Sequence, residues 1–142
     1  MAIRTYDPAA VLPSFLGGIL TGFADGTFIS VERNEDGFTL VVGASGESAR
    51  AQSRNKSGVV TFTILATSQT NDYLSAIAEA DEALGTGVGE FQMAELNGTT
   101  LIHATNAWVK KMPKVERGKE VSTVEWTIEC EDLGIFAGGL AR

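Results

Sequence analysis

Residues 121–131 alternate with a period of two. Val124, Trp126, Ile128 and Cys130 fall on one side, and Thr123, Glu125, Thr127, Glu129 and Glu131 on the other. Successive side chains of a β-strand point to opposite faces, whereas a helix would distribute these acids around its circumference. The segment therefore fits a sheet with one buried and one wet face. Residues 59–67 repeat the pattern, with Val60, Phe62, Ile64 and Ala66 opposite Thr61, Thr63 and Thr67, although Val59 and Leu65 blur the polar side. In residues 27–33, Ser30 and Glu32 oppose Ile29 and Val31, with Phe28 out of place on the polar side. Two readings of the wet face follow from alternation alone: an ordinary solvent-facing sheet, or the lining of a channel.

The rest of the chain is punctuated as a mainly β, antiparallel protein. Gly17-Gly18 between residues 11–16 and 19–23 predicts a two-residue hairpin, its first strand made irregular by Pro13. Asp36-Gly37 suits a type I′ turn between residues 27–33 and the short apolar run 38–43, and Asn97-Gly98 a turn between 91–96 and 99–109. One helix is expected over 71–84. Thr70 or Asn71 would cap it, Asp72 sits in its first turn, Leu74, Ile77, Ala78 and Leu84 form its apolar stripe, and Gly85 stops it. Residues 44–57 and 110–120 read as long polar loops. The expectation is a single domain over residues 1–142 with one flanking helix.

Composition removes most functional classes. The 142 residues carry 18 Asp+Glu against 11 Lys+Arg, a net charge of −7, and are 44% apolar. That suits a packed domain rather than a disordered chain, and the acidity argues against a dedicated nucleic-acid binder. The sequence has one cysteine and one histidine. A disulfide framework or a Cys/His zinc site is therefore out of reach, and any nucleophile–histidine pair must pass through His103. His103 reads as a hydrogen-bonded structural histidine within a strand, and Cys130 as a small buried hydrophobe. Gly85-Thr86-Gly87-Val88-Gly89 follows the helix instead of opening one, so it is a cap and link, not a phosphate loop. The carboxylates of residues 125–131 are strung along one strand, unlike a calcium loop. No apolar run approaches the roughly 20 residues of a membrane span, and residues 1–8 lack a signal-peptide core. No catalytic, cofactor or metal site is expected.

The charges are unevenly placed. Arg50, Arg54 and Lys56 make the first long loop basic, and Lys110, Lys111, Lys114, Arg117 and Lys119 the second. Acids gather at Glu79, Asp81 and Glu82 on the helix and at Glu125, Glu129, Glu131 and Asp132 near the end of the chain. These are either solvated loops or complementary surfaces that meet between copies, setting register and orientation.

The block Thr21-Gly22-Phe23-Ala24-Asp25-Gly26-Thr27-Phe28-Ile29-Ser30-Val31-Glu32-Arg33-Asn34-Glu35-Asp36, continuing through Phe38-Thr39-Leu40-Val41-Val42-Gly43, resembles the tail tube proteins of contractile-tailed bacteriophages. So do Gly58-Val59-Val60-Thr61-Phe62-Thr63, Thr67-Ser68-Gln69-Thr70-Asn71-Asp72, Glu125-Trp126 and Phe136-Ala137-Gly138-Gly139. The resemblance implies an antiparallel β-sandwich or half-barrel protomer with one helix. Six such protomers would form a ring whose sheets join into a closed barrel, and the rings would stack into a hollow tube inside a sheath. The tube would deliver viral DNA. It places the protein in the virion tail, made in the host cytoplasm. Its partners would be itself, the tail sheath, the baseplate and the tail terminator, with double-stranded DNA passing unbound and no membrane contact. Combined with the alternation, it implies a bore lined by Ser30, Glu32, Thr61, Thr63, Glu125, Thr127 and Glu129. It gives an inter-ring role to Ser45, Glu47, Arg50, Arg54 and Lys56, and a second contact to Lys110, Lys111, Lys114, Arg117 and Lys119. The alternatives are the tube of a phage-derived contractile injection particle and, from a different class, a monomeric β-barrel binding module.

Overall fold

A computed structural model describes residues 3–139. A 3-10 turn at Pro8–Ala10 leads into β1 (Val11–Phe15) and β2 (Gly18–Ile19), followed by β3 (Ile29–Arg33), β4 (Phe38–Val42), β5 (Ser48–Gln52) and β6 (Gly58–Leu65). Helix α1 (Thr70–Leu84) precedes β7 (Gly89–Glu95), β8 (Leu101–Val109), β9 (Thr123–Cys130) and β10 (Leu133–Phe136). An eight-stranded antiparallel sheet has the order β2-β1-β7-β8-β9-β6-β3, with β10 paired to β8, and β4 and β5 form a separate hairpin.

The core lies on the inner face of this sheet. Val60, Phe62 and Ile64 of β6 meet Val124, Trp126 and Ile128 of β9 there, as the alternation requires. The far walls approach each other: Phe28 and Ile29 share a cleft with Val11 of β1 and Met93 of β7. The sheet is thus rolled, and its outer surface on β3–β6–β9 faces away from that on β1–β7. On β8 the buried set changes phase, from Ile102 and Ala104 to Ala107 and Val109. The reason is a bulge: Gly89 and Phe91 of β7 stand opposite Ala107 and Ala104. Along α1 the buried residues Thr70, Leu74 and Ala78 follow helical spacing, with Tyr73 and Ile77 packed beside them.

Several local expectations are corrected. The β1–β2 turn is Leu16-Gly17, both at positive φ (52° and 83°), not Gly17-Gly18. Two consecutive left-handed residues match a type I′ turn, and β2 ends after Ile19. Asp36-Gly37 is not a hairpin turn, because β3 pairs with β6 while β4 pairs with β5. The β7–β8 hairpin at Asn97-Gly98 is as expected, but its loop spans residues 96–100. The 44–57 segment is not all loop, since it contains β5, whose Ser-Ala-Arg-Ala-Gln sequence lacks the β-branched signal and pairs through its backbone. Residues 110–120 form no strand or helix. Neither Thr70 nor Asn71 is the N-cap: the cap is Gln69, without a side-chain bond, and Ser68 Oγ accepts from the Thr70 amide. Gly85 closes the helix in the left-handed conformation (φ 69°), but Leu84 is exposed rather than part of the apolar stripe.

Candidate functional site

The β3–β6–β9 register assembles one polar surface from three distant parts of the chain. Ser30, Thr61 and Thr127 form one cross-strand row; Glu32, Val59 and Glu129 form the next; Thr63 stands opposite Glu125. All lie on the outer face, opposite the core residues of the same strands, and each is exposed or half-exposed. Among the described residues the close pairs of basic and acidic side chains are His103–Glu90 and Lys114–Glu116, and neither uses Glu32, Glu125 or Glu129. No group of His, Cys, Asp and Glu among them is arranged to hold a metal ion. Hydroxyls and carboxylates side by side make a hydrated, negative surface.

Beyond this face lies an open sheet edge. The Thr63 amide donates to the Phe28 carbonyl and the Asn34 amide to the Ser57 carbonyl. Phe28, Ser30, Glu32 and Asn34 therefore direct their backbone toward β6, while Ile29, Val31 and Arg33 present theirs to the free side. The Arg33 side chain is tied back, its Nε donating to the Leu133 carbonyl at 2.9 Å.

The basic segments sit differently from each other. Ser45 and Glu47 flank the hairpin tip, where Gly46 takes φ 85° and its amide donates to the Gly43 carbonyl. Arg50 lies on β5 with its guanidinium 4.1 Å from the centre of the Phe38 ring. Arg54 and Lys56 are at the hairpin base, sharing a cleft with Glu131 and Asp132. The positive charge thus runs from mid-hairpin to base and does not gather at the tip. In the second segment, Lys110 is anchored by its amide to the Thr127 carbonyl, and Lys114 pairs with Glu116 at 2.7 Å. Lys111 and Lys114 also share a cleft with Glu125 and Thr127, which brings this loop to the margin of the acidic face. Arg117 lines a separate cleft with Trp126 and Asn71, and Lys119 is exposed.

His103 lies within a strand as expected, but among the described residues its side chain is not held by a hydrogen bond. It stands half-exposed on the outer face of β8, 3.9 Å from Glu90, because β8 turns Ile102 and Ala104 inward. Cys130 is buried as expected, and burial, then the charge of Glu129, pushes its thiol up to about 11. The sequence reading missed the exposed apolar side chains of the hairpin, namely Phe38, Leu40, Val41 and Val42. The signal was present in the unbroken apolar run of β4, which lacks the alternation of a half-buried strand.

A mainly β protomer with a hydrated acidic face, an open edge and a projecting hairpin carries the surfaces of an assembly subunit. Residues 12–138 match the Bacteriophage PhiTE tail tube protein family, and the chain belongs to that family of phage structural proteins. It is 30% identical over 122 residues to "Structural protein ORF10" of Pseudomonas phage KPP10, covering 84% of this chain and 70% of the relative. The fold is shared with the tube terminating cap of the anti-feeding prophage, at TM-score 0.60 and 12% identity over 96% of this chain and 94% of that one. It is shared equally with the PVC sheath/tube terminator of an extracellular contractile injection system in its extended state. That match has TM-score 0.61 and 9% identity over 96% of this chain and 100% of the other.

Proposed function

We propose that this chain is the repeating subunit of a phage tail tube, forming six-membered rings that stack into a conduit for double-stranded DNA. The observation that carries the reading is the acidic and hydroxyl face. Ser30, Thr61 and Thr127 form a row across three strands, with Glu32 and Glu129 on the next, and among the described residues no cation is paired to the carboxylates. Duplex DNA carries about one negative charge per 1.7 Å, and every cationic contact along a bore would add salt-dependent binding. A carboxylate lining holds water in the gap and repels phosphate over a Debye length of roughly 8–10 Å.

The free backbone of Ile29, Val31 and Arg33 supports ring closure. An open edge is an aggregation hazard in a lone protomer and is removed when copies continue the sheet. Contacts between unlike surfaces close into rings, and unlike top and bottom faces let the rings stack. The hairpin with Ser45, Glu47, Arg50, Arg54 and Lys56 is the stacking element, and the loop with Lys110, Lys111, Lys114, Arg117 and Lys119 a second contact.

The test is electron microscopy of the purified, concentrated protein. Rings or rods of one width are expected, with Glu125 and Glu129 facing the bore in a reconstruction. Trp126 and Ile128 on the bore, or a protein that remains monomeric even with tail baseplate present, would refute the proposal. The fold shared with an injection-system terminator favours one second reading, the tube of a phage-derived contractile injection particle. Purified particles that lack DNA at every stage would select it.

A further inference from the structure

Two exposed surfaces of this protomer are complementary and do not meet within one chain. The first is one face of the β4–β5 hairpin. Phe38, Leu40 and Val42 stand opposite Gln52, Arg50 and Ser48 respectively, so this face has an apolar strand beside a polar one. Every residue of both strands is exposed, Leu40 by 70%, and β4 and β5 pack substantially only on each other. An isolated two-stranded hairpin is marginal in water, so this one gains its order from something that covers it.

The second surface lies on the outer face of the other wall. Leu12 of β1, Ala94 of β7, Leu101 of β8 and Phe136 of β10 are in register and form an apolar row across four strands. Leu101 is 44% and Phe136 63% exposed. The next row on the same face is polar through Ser14, Gln92 and His103, ending at Ile19, and one step further stands Glu90.

We propose that the β4–β5 hairpin of one copy lies across the Leu12–Ala94–Leu101–Phe136 row of a second copy. This names the receiving surface for the hairpin and rests on the tube reading. The dimensions agree. Four neighbouring strands set the row at about 14 Å, and Phe38 to Val42 along β4 also spans about 14 Å. With β4 on the apolar row, the ribbon crosses the receiving strands near a right angle, one of the two ways in which sheets pack. β5 then lies over the polar row, setting Ser48 and Gln52 against Ser14, Gln92 and His103, and directing the Arg50 guanidinium toward Glu90. The apolar strip meets apolar side chains, and the Arg50 guanidinium meets the Glu90 carboxylate.

Disulfide trapping tests the contact. The native Cys130 is fully buried, so paired Leu40→Cys and Leu101→Cys substitutions, both at exposed sites, add the only accessible thiols. Assembled and oxidised, the double variant should run as a ladder of linked chains, and each single variant as monomer. Independently, Arg50→Glu should raise the concentration needed for tube formation by about tenfold or more, and Arg50→Glu with Glu90→Arg should restore it. Tubes of the double variant that give no ladder, with Arg50→Glu assembling normally, would overturn the inference and leave the tube reading standing. Normal tubes from Leu101→Asp would overturn it too, by showing that something other than the hairpin covers the row. A wild-type chain that forms no tubes under any condition, together with a double variant that gives no cross-link, would remove both.

Discussion

The indole N–H of Trp126 donates to the side-chain oxygen of Asn71 across 3.0 Å. The same Asn71 donates from its amide nitrogen to the carbonyls of Leu65, Ala66 and Ser68, at 3.0, 3.3 and 3.2 Å. One side chain thus joins the centre of β9, the end of β6 and the start of α1, and it does so directly beneath the strand that displays Glu125 and Thr127. Burying the largest aromatic of the core leaves its N–H in need of a partner, and Asn71 supplies it. Asn71→Ala should therefore cost about 1–3 kcal/mol, read as a lower urea midpoint with an unchanged denaturant slope. Wild-type stability in this variant would show that the bond is incidental.

Cys130 makes alkaline stability a readout of the β9 core. Its thiol is raised from 9.0 in a free chain to about 11 in the fold, by burial first and then by the neighbouring Glu129. Between those values the unfolded chain releases the proton and the folded chain keeps it. The unfolded state then binds fewer protons, so stability falls as pH rises through this window, by up to about 1.4 kcal/mol per pH unit. Below pH 9.0 this dependence is absent. Cys130→Ala should flatten the decline in urea midpoint between pH 9.0 and about 11, relative to the wild type. Parallel declines in the two proteins would refute the assignment.

The strands whose two faces differ chemically were legible in the sequence, because the alternation of Trp126 and Ile128 with Glu125 and Thr127 states both faces at once. The polar face of β3–β6–β9 was legible for the same reason. β5 was not, since Ser-Ala-Arg-Ala-Gln has no buried side and its strand character comes from its partner. Leu16 gave no warning of a positive φ, which the hairpin imposes on it. The phase change on β8 also left no mark in the residues themselves, because it comes from a bulge against β7. The Leu12–Ala94–Leu101–Phe136 row is the clearest case. Each strand contributes one ordinary apolar residue, and only the register of four strands makes them a surface.

Removing the hairpin separates folding from assembly. None of the buried core residues belongs to β4 or β5, and the neighbouring strands β3 and β6 pair directly. Replacing residues 38–52 by a short Gly/Ser linker should leave the circular dichroism spectrum mainly β and shift the urea midpoint by about 0.5 kcal/mol or less. The same protein should fail to form long tubes. Tubes of normal length would deny the hairpin its stacking role, and an unfolded product would show that it supports the body after all.

The sharpest consequence concerns the acidic face itself. Glu125 and Glu129 occupy the outer side of β9, on either side of Thr127, and among the described residues neither is in an ion pair. Because their side chains leave the core untouched, replacing both with lysine should alter stability by about 0.5 kcal/mol or less. Each protomer in a ring would then move four charge units toward positive along the bore. Lysines there would release counterions from passing DNA, so affinity should fall steeply with added salt, by a slope of about 0.9 for each phosphate neutralised. Tubes of Glu125→Lys/Glu129→Lys protein should form with wild-type width and retain duplex DNA at low ionic strength, releasing it as salt rises. Wild-type tubes should retain none. In phage carrying the double substitution, genome release should slow while particle number stays the same. Release at the wild-type rate, with no DNA retained by the variant tubes, would move the bore to another face of the protomer.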